Sequence, residues 1–371
     1  MSIADDQLQA SVSLGYDSNP FKLSSLSQNA QTTESANVEG AAYTAFRLKY
    51  QGNNKTPKSS KKGNFRYQVE LQNNLYSGSK SAADSLSIKA HLSWIEGFKL
   101  GQRKGNIRVT TDLRRERNTY YSQTQRQIAE TSSGDLIDDR FSFDGADVGA
   151  ELTYYRDKKL SWSLLSKIGQ RNYPHDYRDI GLESIDYSEF RLQPGLRYRA
   201  NSGLKTRLFL YQKFRHYSGL SNNPEKDSAL VEYSLMGYGM VLNKALSKNS
   251  DASLYLNGYF ARDNGEGIRD LNYHQLSFKF NYQLGMGADF TVNAKAYQRA
   301  YLKAQSSPEE SETGAAGPSR AGEHVEFVYS RPLLSESLKV SVSLRAEYER
   351  NTINLLGYQR QLMAVSLLYK L

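Results

Sequence analysis

Between Leu338 and Tyr348 every second residue is apolar. Leu338, Val340, Val342, Leu344, Ala346 and Tyr348 alternate with Lys339, Ser341, Ser343, Arg345 and Glu347. Successive strand side chains point to opposite faces, so this segment carries one apolar face and one wet, charged face. The same dyad recurs along the whole chain in segments of roughly 9 to 13 residues, long enough to cross a bilayer as a tilted strand. Clear apolar registers run from Leu8 to Tyr16, Ala42 to Tyr50, Phe65 to Leu71, Leu86 to Trp94, Ile107 to Leu113, Val148 to Tyr154 and Leu160 to Ile168. They continue from Phe190 to Tyr198, Leu204 to Leu210, Leu254 to Phe260, Leu276 to Tyr282, Phe290 to Ala296, Val325 to Tyr329 and Met363 to Leu371. The pattern predicts one all-β domain over residues 1–371, a transmembrane antiparallel up-and-down β-barrel of about sixteen strands, with fourteen to eighteen allowed.

The connections alternate in length. Long polar ones lie near 17–39, 117–142, 173–184, 217–227 and 303–321. Tight ones include Asp157-Lys158-Lys159, Asn201-Ser202-Gly203 and Leu284-Gly285-Met286-Gly287. Short periplasmic turns and long extracellular loops give this asymmetry, and an even strand count puts both termini on the periplasmic side. Asn53 to Lys62 and Asn243 to Asp251 read as long for periplasmic turns. Pro194 falls inside a strand of a closed sheet, where no edge tolerates it, so a bulge helped by Gly195 is expected there.

Composition supports this class. The hydrophobic fraction is 39% with 27 Tyr and 14 Phe, and the mean hydropathy is −0.66. A soluble chain this polar has little to fill a large core, whereas a barrel with a wet lumen turns its apolar residues to lipid. No apolar run reaches the length of a transmembrane helix. Sandwich strands are about half as long as these, and no short fixed repeat indicates a β-helix. The opening Met-Ser-Ile-Ala-Asp-Asp lacks a charged segment followed by an apolar stretch; it reads as a mature chain with its export signal removed and a start Met added. The absence of Cys excludes disulfides and thiolate metal sites.

Charge adds a direction. Lys plus Arg is 48 against 39 Asp plus Glu, a net +9. Written on the inward register, the cations include Arg108, Arg114, Lys167, Arg171, Arg191, Arg197, Arg199, Lys205, Arg207, Lys213, Arg215, Lys295, Arg299 and Arg345, with Tyr211 among them. Inward acids, among them Glu70, Asp112, Glu116, Glu151, Glu232, Glu326, Glu347 and Glu349, are outnumbered by roughly two to one. Rings of Arg and Lys in a low-dielectric wall concentrate anions, and Arg holds carboxylate or phosphate in a bidentate fork. Tyr43, Tyr155, Tyr211, Tyr255, Tyr259 and Tyr297 are interleaved and suit sugar rings. The same charges serve equally as an ordinary solvated, salt-bridged wall, and basic residues at the outer rim suit lipopolysaccharide phosphates.

Other chemistry is thin. Five histidines, His91, His175, His216, His274 and His324, show no metal spacing, and no Gly-x-Ser-x-Gly elbow exists. No catalytic residues, metal or cofactor are expected. Asp135 to Asp139 and Asp263 to Gly267 are acidic loop stretches without the full Ca²⁺-loop spacing. Nucleic acid is not an expected partner, because no recognition motif accompanies the charge.

Leu14-Gly15-Tyr16-Asp17-Ser18-Asn19-Pro20-Phe21 resembles the opening strand of outer-membrane barrels associated with exopolysaccharide and surface export, and of the barrel portion of surface lipoprotein assembly modifiers. The alternating C-terminal strand is similar to the insertion signal of such barrels but finishes Tyr369-Lys370-Leu371 rather than on Phe or Trp. The resemblance implies a Gram-negative outer-membrane location and a part in moving polymer or protein outward. Many such proteins carry a periplasmic helical-repeat domain before the barrel; here the first strand begins by Gln7, so a periplasmic part is expected on another chain or not at all. The expected function is a passive conduit with a basic lumen for an acidic exopolysaccharide or smaller anionic solutes. The alternatives are a structural barrel anchoring a periplasmic or envelope partner through its long loops, and a general porin narrowed by the 117–142 loop.

Overall fold

Alternation fixes which way each side chain points; hydrogen bonding between strands decides whether the sheet closes. The computed structural model describes residues 6–20, 40–54, 63–77, 83–118, 121–122, 127–128, 141–173, 184–221, 230–264, 270–302, 319–335, 337–351 and 358–371. The strands are β1 (Gln7–Asp17), β2 (Ala41–Asn54), β3 (Asn64–Tyr76), β4 (Ser85–Leu100), β5 (Arg103–Asn118), β6 (Tyr121–Ser122), β7 (Gln127–Ile128), β8 (Phe143–Tyr155) and β9 (Leu160–Asn172). The second half adds β10 (Tyr187–Arg199), β11 (Lys205–Ser221), β12 (Leu230–Ala245), β13 (Ser250–Asp263), β14 (Leu271–Gln283), β15 (Asp289–Tyr301), β16 (Ser319–Ser335), β17 (Leu338–Asn351) and β18 (Tyr358–Lys370). Apart from the small β6–β7 ladder, each strand pairs with its sequence neighbours, and β1 pairs with β18 to close a sixteen-stranded antiparallel barrel. Following opposed residues once round returns to β1 displaced by about 20 positions, which corresponds to a strand tilt of about 40° and a backbone radius of roughly 16 Å. A barrel of this strand number is wide enough for an aqueous lumen.

The apolar registers face outward as expected. Leu14, Ile168 and Leu210 are more than 60% exposed on the barrel exterior. In water such a continuous surface would aggregate; against hydrocarbon it is the matched face. Aromatics mark both borders. On β10, Phe190 and Tyr198 lie eight residues apart, ~26 Å along the strand and ~20 Å in height after tilt, close to the apolar band of an outer-membrane barrel. Closure leaves no strand edge unsatisfied in lipid.

At one end the connections are short, apart from that between β2 and β3. Gly203 turns the chain at φ 81° between β10 and β11. In the β8–β9 turn the Asp157 carboxylate accepts the N–H groups of Lys159 (2.7 Å) and Leu160 (2.9 Å), and these bonds hold its pKa below the usual carboxylate range. Asn243 to Asp251 is corrected: β12 runs to Ala245 and β13 starts at Ser250, leaving a tight turn of ordinary length. The other end carries the long connections between β1 and β2, β5 and β8, β9 and β10, and β15 and β16. Of the loops expected to matter, most of 17–39, 117–142 and 303–321 lies outside the described residues, as do residues 55–62 of the β2–β3 connection.

The bulge expected at Pro194 is not there. The β10–β9 register is continuous through Pro194↔Leu164. Toward β11 the register is the same before and after, at Leu192↔Gln212 and Gly195↔Phe209, and only the Gln193 and Pro194 pairings drop out. One missing N–H directed at the Leu210 carbonyl produces this pattern. A single forfeited ladder bond costs less than re-registering the strand, which would turn every later side chain to the wrong face.

Candidate functional site

All fifteen predicted lumen residues lie on the inward register. Arg108 and Arg114 come from β5, Lys167 and Arg171 from β9, and Arg191, Arg197 and Arg199 from β10. Lys205, Arg207, Tyr211, Lys213 and Arg215 come from β11, Lys295 and Arg299 from β15, and Arg345 from β17. Pairing concentrates them further. Arg191 sits opposite Lys213, Arg197 opposite Arg207 and Arg199 opposite Lys205, while Arg191 also faces Lys167 on the other side. Like charges directly opposed across strands are destabilising. These pairs recur along β10 and β11, with the opposite-charge pair Glu189–Arg215 nearer the start of β10.

Carboxylates from neighbouring strands offset part of the charge. Glu151 on β8, buried to 7% exposure, lies 2.5 Å from Arg197, 3.4 Å from Arg207 and 3.7 Å from Arg108. Glu189 accepts from Lys213 (2.9 Å) and Arg215 (2.8 Å), and Arg215 also stacks on Tyr187 at 4.1 Å. Lys167 bridges Asp112 (3.0 Å) and Asp147 (3.4 Å); Arg171 reaches Asp147 at 3.0 Å. Arg114 is 3.8 Å from Glu116, and Arg345 bonds Glu347. Each of these carboxylates is shared among several cations or lies at long range. Arg191, Arg199, Lys205, Lys295 and Arg299 make no ion pair with a described carboxylate. Arg191 rests on the Tyr211 ring at 4.6 Å, bonds the Gln193 side chain, and leaves its Nε without a partner.

Several site features were missed in the sequence. β12 alternates weakly because its inward positions include Gly237 and Gly239, which lie beneath the inward rings of Tyr211 and Phe209 on β11; a Cβ there would meet those rings at 2.2 Å and 2.1 Å. Rings packed over glycine are held against the wall. Glu232 is corrected: strand parity turns it outward, where it lies 3.1 Å from His216. His91 is inward, 2.6 Å from Asp112. His274 faces out and contacts the Tyr238 hydroxyl at 3.0 Å. His175 lies outside the described residues. Among the described residues no group of His, Asp and Glu is placed to hold a metal.

The largest omission is the seam. Asp17, fully buried, accepts from Arg360 Nε on β18 at 3.0 Å to both oxygens, and from its Nη2 at 2.5 Å. The Tyr76 hydroxyl of β3 donates at 2.9 Å and the Asn19 N–H at 3.0 Å. Asn19 Nδ2 donates to the Gln359 carbonyl at 2.9 Å, and Ser18 exchanges bonds with Gln361. The Asp17-Ser18-Asn19 motif thus clasps the first strand to the last beyond the end of their ladder. Arg360 is the second inward position upstream of the predicted C-terminal strand, after Leu362, and extending the alternation upstream from Met363 would have found it.

No family model and no curated protein matches this sequence. Among solved structures, the chain is similar to a BenF-like porin from Pseudomonas fluorescens Pf-5 (11% identity, TM-score 0.48, 99% of each chain covered). It is similar to the outer membrane protein opdK from Pseudomonas aeruginosa (10% identity, TM-score 0.47, 99% of each chain covered). It is also similar to a structure described as a bacterial polysaccharide outer membrane secretin (7% identity, TM-score 0.44, 98% of each chain covered). At these identities and scores the comparisons assign neither passenger nor partner to this chain.

Proposed function

We propose that the protein is a passive conduit in the outer membrane of a Gram-negative bacterium, with a basic lumen that favours anions. Its passengers are an acidic polysaccharide or smaller anionic solutes. The observation that carries this reading is the run of like-charge pairs on the lumen wall, Arg191–Lys213, Arg197–Arg207 and Arg199–Lys205. A wall built only for stability would place opposite charges across these strands. Passage needs attraction strong enough to admit an anion and divided among enough weak sites to release it; cations spaced along β9 to β11 meet both conditions. No catalytic step is required. On the outside, Arg115 and Arg117 of β5 stand at the long-loop end beside Asp144 (2.7 Å and 3.4 Å), a position suited to lipopolysaccharide phosphates.

The test is single-channel conductance of the purified barrel in a planar bilayer with a salt gradient. The expected current is anion-selective, and the combined Arg197→Glu, Arg207→Glu and Arg215→Glu variant lowers the anion-to-cation permeability ratio several-fold. A silent barrel, or a selectivity indifferent to these reversals, would overturn the proposal.

A further inference from the structure

We infer that a recess in the β14–β18 wall, near the long-loop end, is a binding site for an acidic sugar unit: a saturated sugar ring bearing a carboxylate. The inference deepens the conduit reading, from which it takes its role in passage. The recess, of ≈ 330 Å³, is lined by Tyr273, Lys295, Tyr297, Arg299, Arg345 and Tyr358 among others. Beside the carboxylates Glu323, Glu347 and Glu349, two kinds of group meet there, and neither alone explains the other.

The first is a strip of aromatic faces. Tyr273 and Tyr297 line the recess from successive strands with nearly parallel rings (centroids 6.2 Å apart, interplanar angle 28°), and Tyr259, outside the recess on β13, stacks on Tyr273 in turn (5.0 Å, 26°). The Tyr297 ring lies over Gly322, where a Cβ would meet it at 2.4 Å. Its hydroxyl donates to Glu349 and that of Tyr273 to Gln275 at 2.7 Å. Both rings are therefore fixed before any ligand arrives, which lowers the ordering cost of stacking against them. Such faces suit the C–H face of a sugar ring, an amphipathic surface with hydroxyls at its edge.

The second is positive charge without an internal counter-ion. Lys295 lies 5.2 Å from the Tyr297 ring and Arg299 6.0 Å from that of Tyr273. Neither makes an ion pair with a described carboxylate, whereas Arg320 and Arg345 of the same recess pair with Glu349 and Glu347. The Arg299 Nε is buried without a hydrogen-bond partner. A neutral sugar would leave these cations unused; a simple inorganic anion would leave the rings unused. A ring carrying a carboxylate uses both.

The test is isothermal titration calorimetry of the folded, full-length barrel in detergent micelles against three probes: tetragalacturonate, maltotetraose and citrate. Tetragalacturonate is expected to bind at least about tenfold more tightly than either comparator, and Arg299→Gln, Lys295→Gln and Tyr273→Leu are each expected to weaken it about tenfold or more. Lys295→Gln guards against misfolding, since its side chain has no ion pair to lose. Equal binding of maltotetraose, with no effect of Arg299→Gln, would overturn the inference in favour of a neutral sugar. Equal binding of citrate, with no effect of Tyr273→Leu, would overturn it in favour of bare charge. Absence of tetragalacturonate binding also overturns it, even if the bilayer current is anion-selective and the conduit reading stands. Binding in a barrel that carries no current supports the site and refutes the conduit.

Discussion

Replacing Arg360 with Met tests how the barrel is closed. Met keeps most of the aliphatic stem and removes the guanidinium. In the native protein that group makes three contacts of 2.5–3.0 Å to Asp17 and one of 3.5 Å to Glu347. Asp17 is 0% exposed and Arg360 12%, so solvent cannot take over. Without Arg360, Asp17 retains as donors, among the described residues, the Tyr76 hydroxyl and the Asn19 N–H. A buried charge orphaned in this way costs about 3–5 kcal/mol. Asp17→Asn should cost less, roughly 1.5–3 kcal/mol, because Arg360 then keeps Glu347. The double variant should cost less than the sum, since it removes both charges together; the coupling is expected at roughly 1–3 kcal/mol. The assay is urea-dependent unfolding in lipid vesicles, followed by the fluorescence of the two lipid-facing tryptophans, Trp94 and Trp162. An Arg360→Met barrel within about 1 kcal/mol of native, or strictly additive single costs, would refute the clasp.

Three further outcomes follow from the fold. Pro194→Val supplies an N–H toward the Leu210 carbonyl in an unbroken register, so stability should stay within about 1 kcal/mol of native or rise; a loss above about 2 kcal/mol in the same unfolding assay would restore the bulge. Gly239→Ala should destabilise by about 1–3 kcal/mol, because its Cβ would stand 2.1 Å from the buried Phe209 ring, and Phe209→Ala in the same chain should recover part of that cost; no recovery would count against ring-over-glycine packing. The lowered Asp157 pKa means its turn bonds are complete above the ordinary carboxylate range and weaken as pH falls through the lowered value; amide exchange at Lys159 and Leu160, corrected for intrinsic pH dependence, should speed up there, and exchange indifferent to pH would contradict it.

Side-chain direction is a local property of a strand, and the sequence alone settled it wherever the alternation is unbroken, though not at Glu232. Period-two alternation from Leu8 to Leu371 sorted lipid-facing from lumen-facing residues, and with them all fifteen predicted inward positions. Turn chemistry such as Asn201-Ser202-Gly203 marked the short-turn end of the barrel. Where alternation is interrupted, as at Gly237 and Gly239 of β12, the reading faltered, because a glycine has no side chain to declare a face. Which residues meet across strands is not local. Sixteen strands rather than fourteen or eighteen follows from hydrogen bonds between β1 and β18, some 350 residues apart in sequence. Pairing between other strands brings Glu151 among three arginines of β5, β10 and β11 and lets Pro194 sit in a closed sheet for one lost bond, while the β1–β18 seam seats Asp17 on Arg360. Alternation repeats identically in every strand and carries no record of which strand lies beside which; only closure of the sheet decides where lumen charge is offset and where it remains.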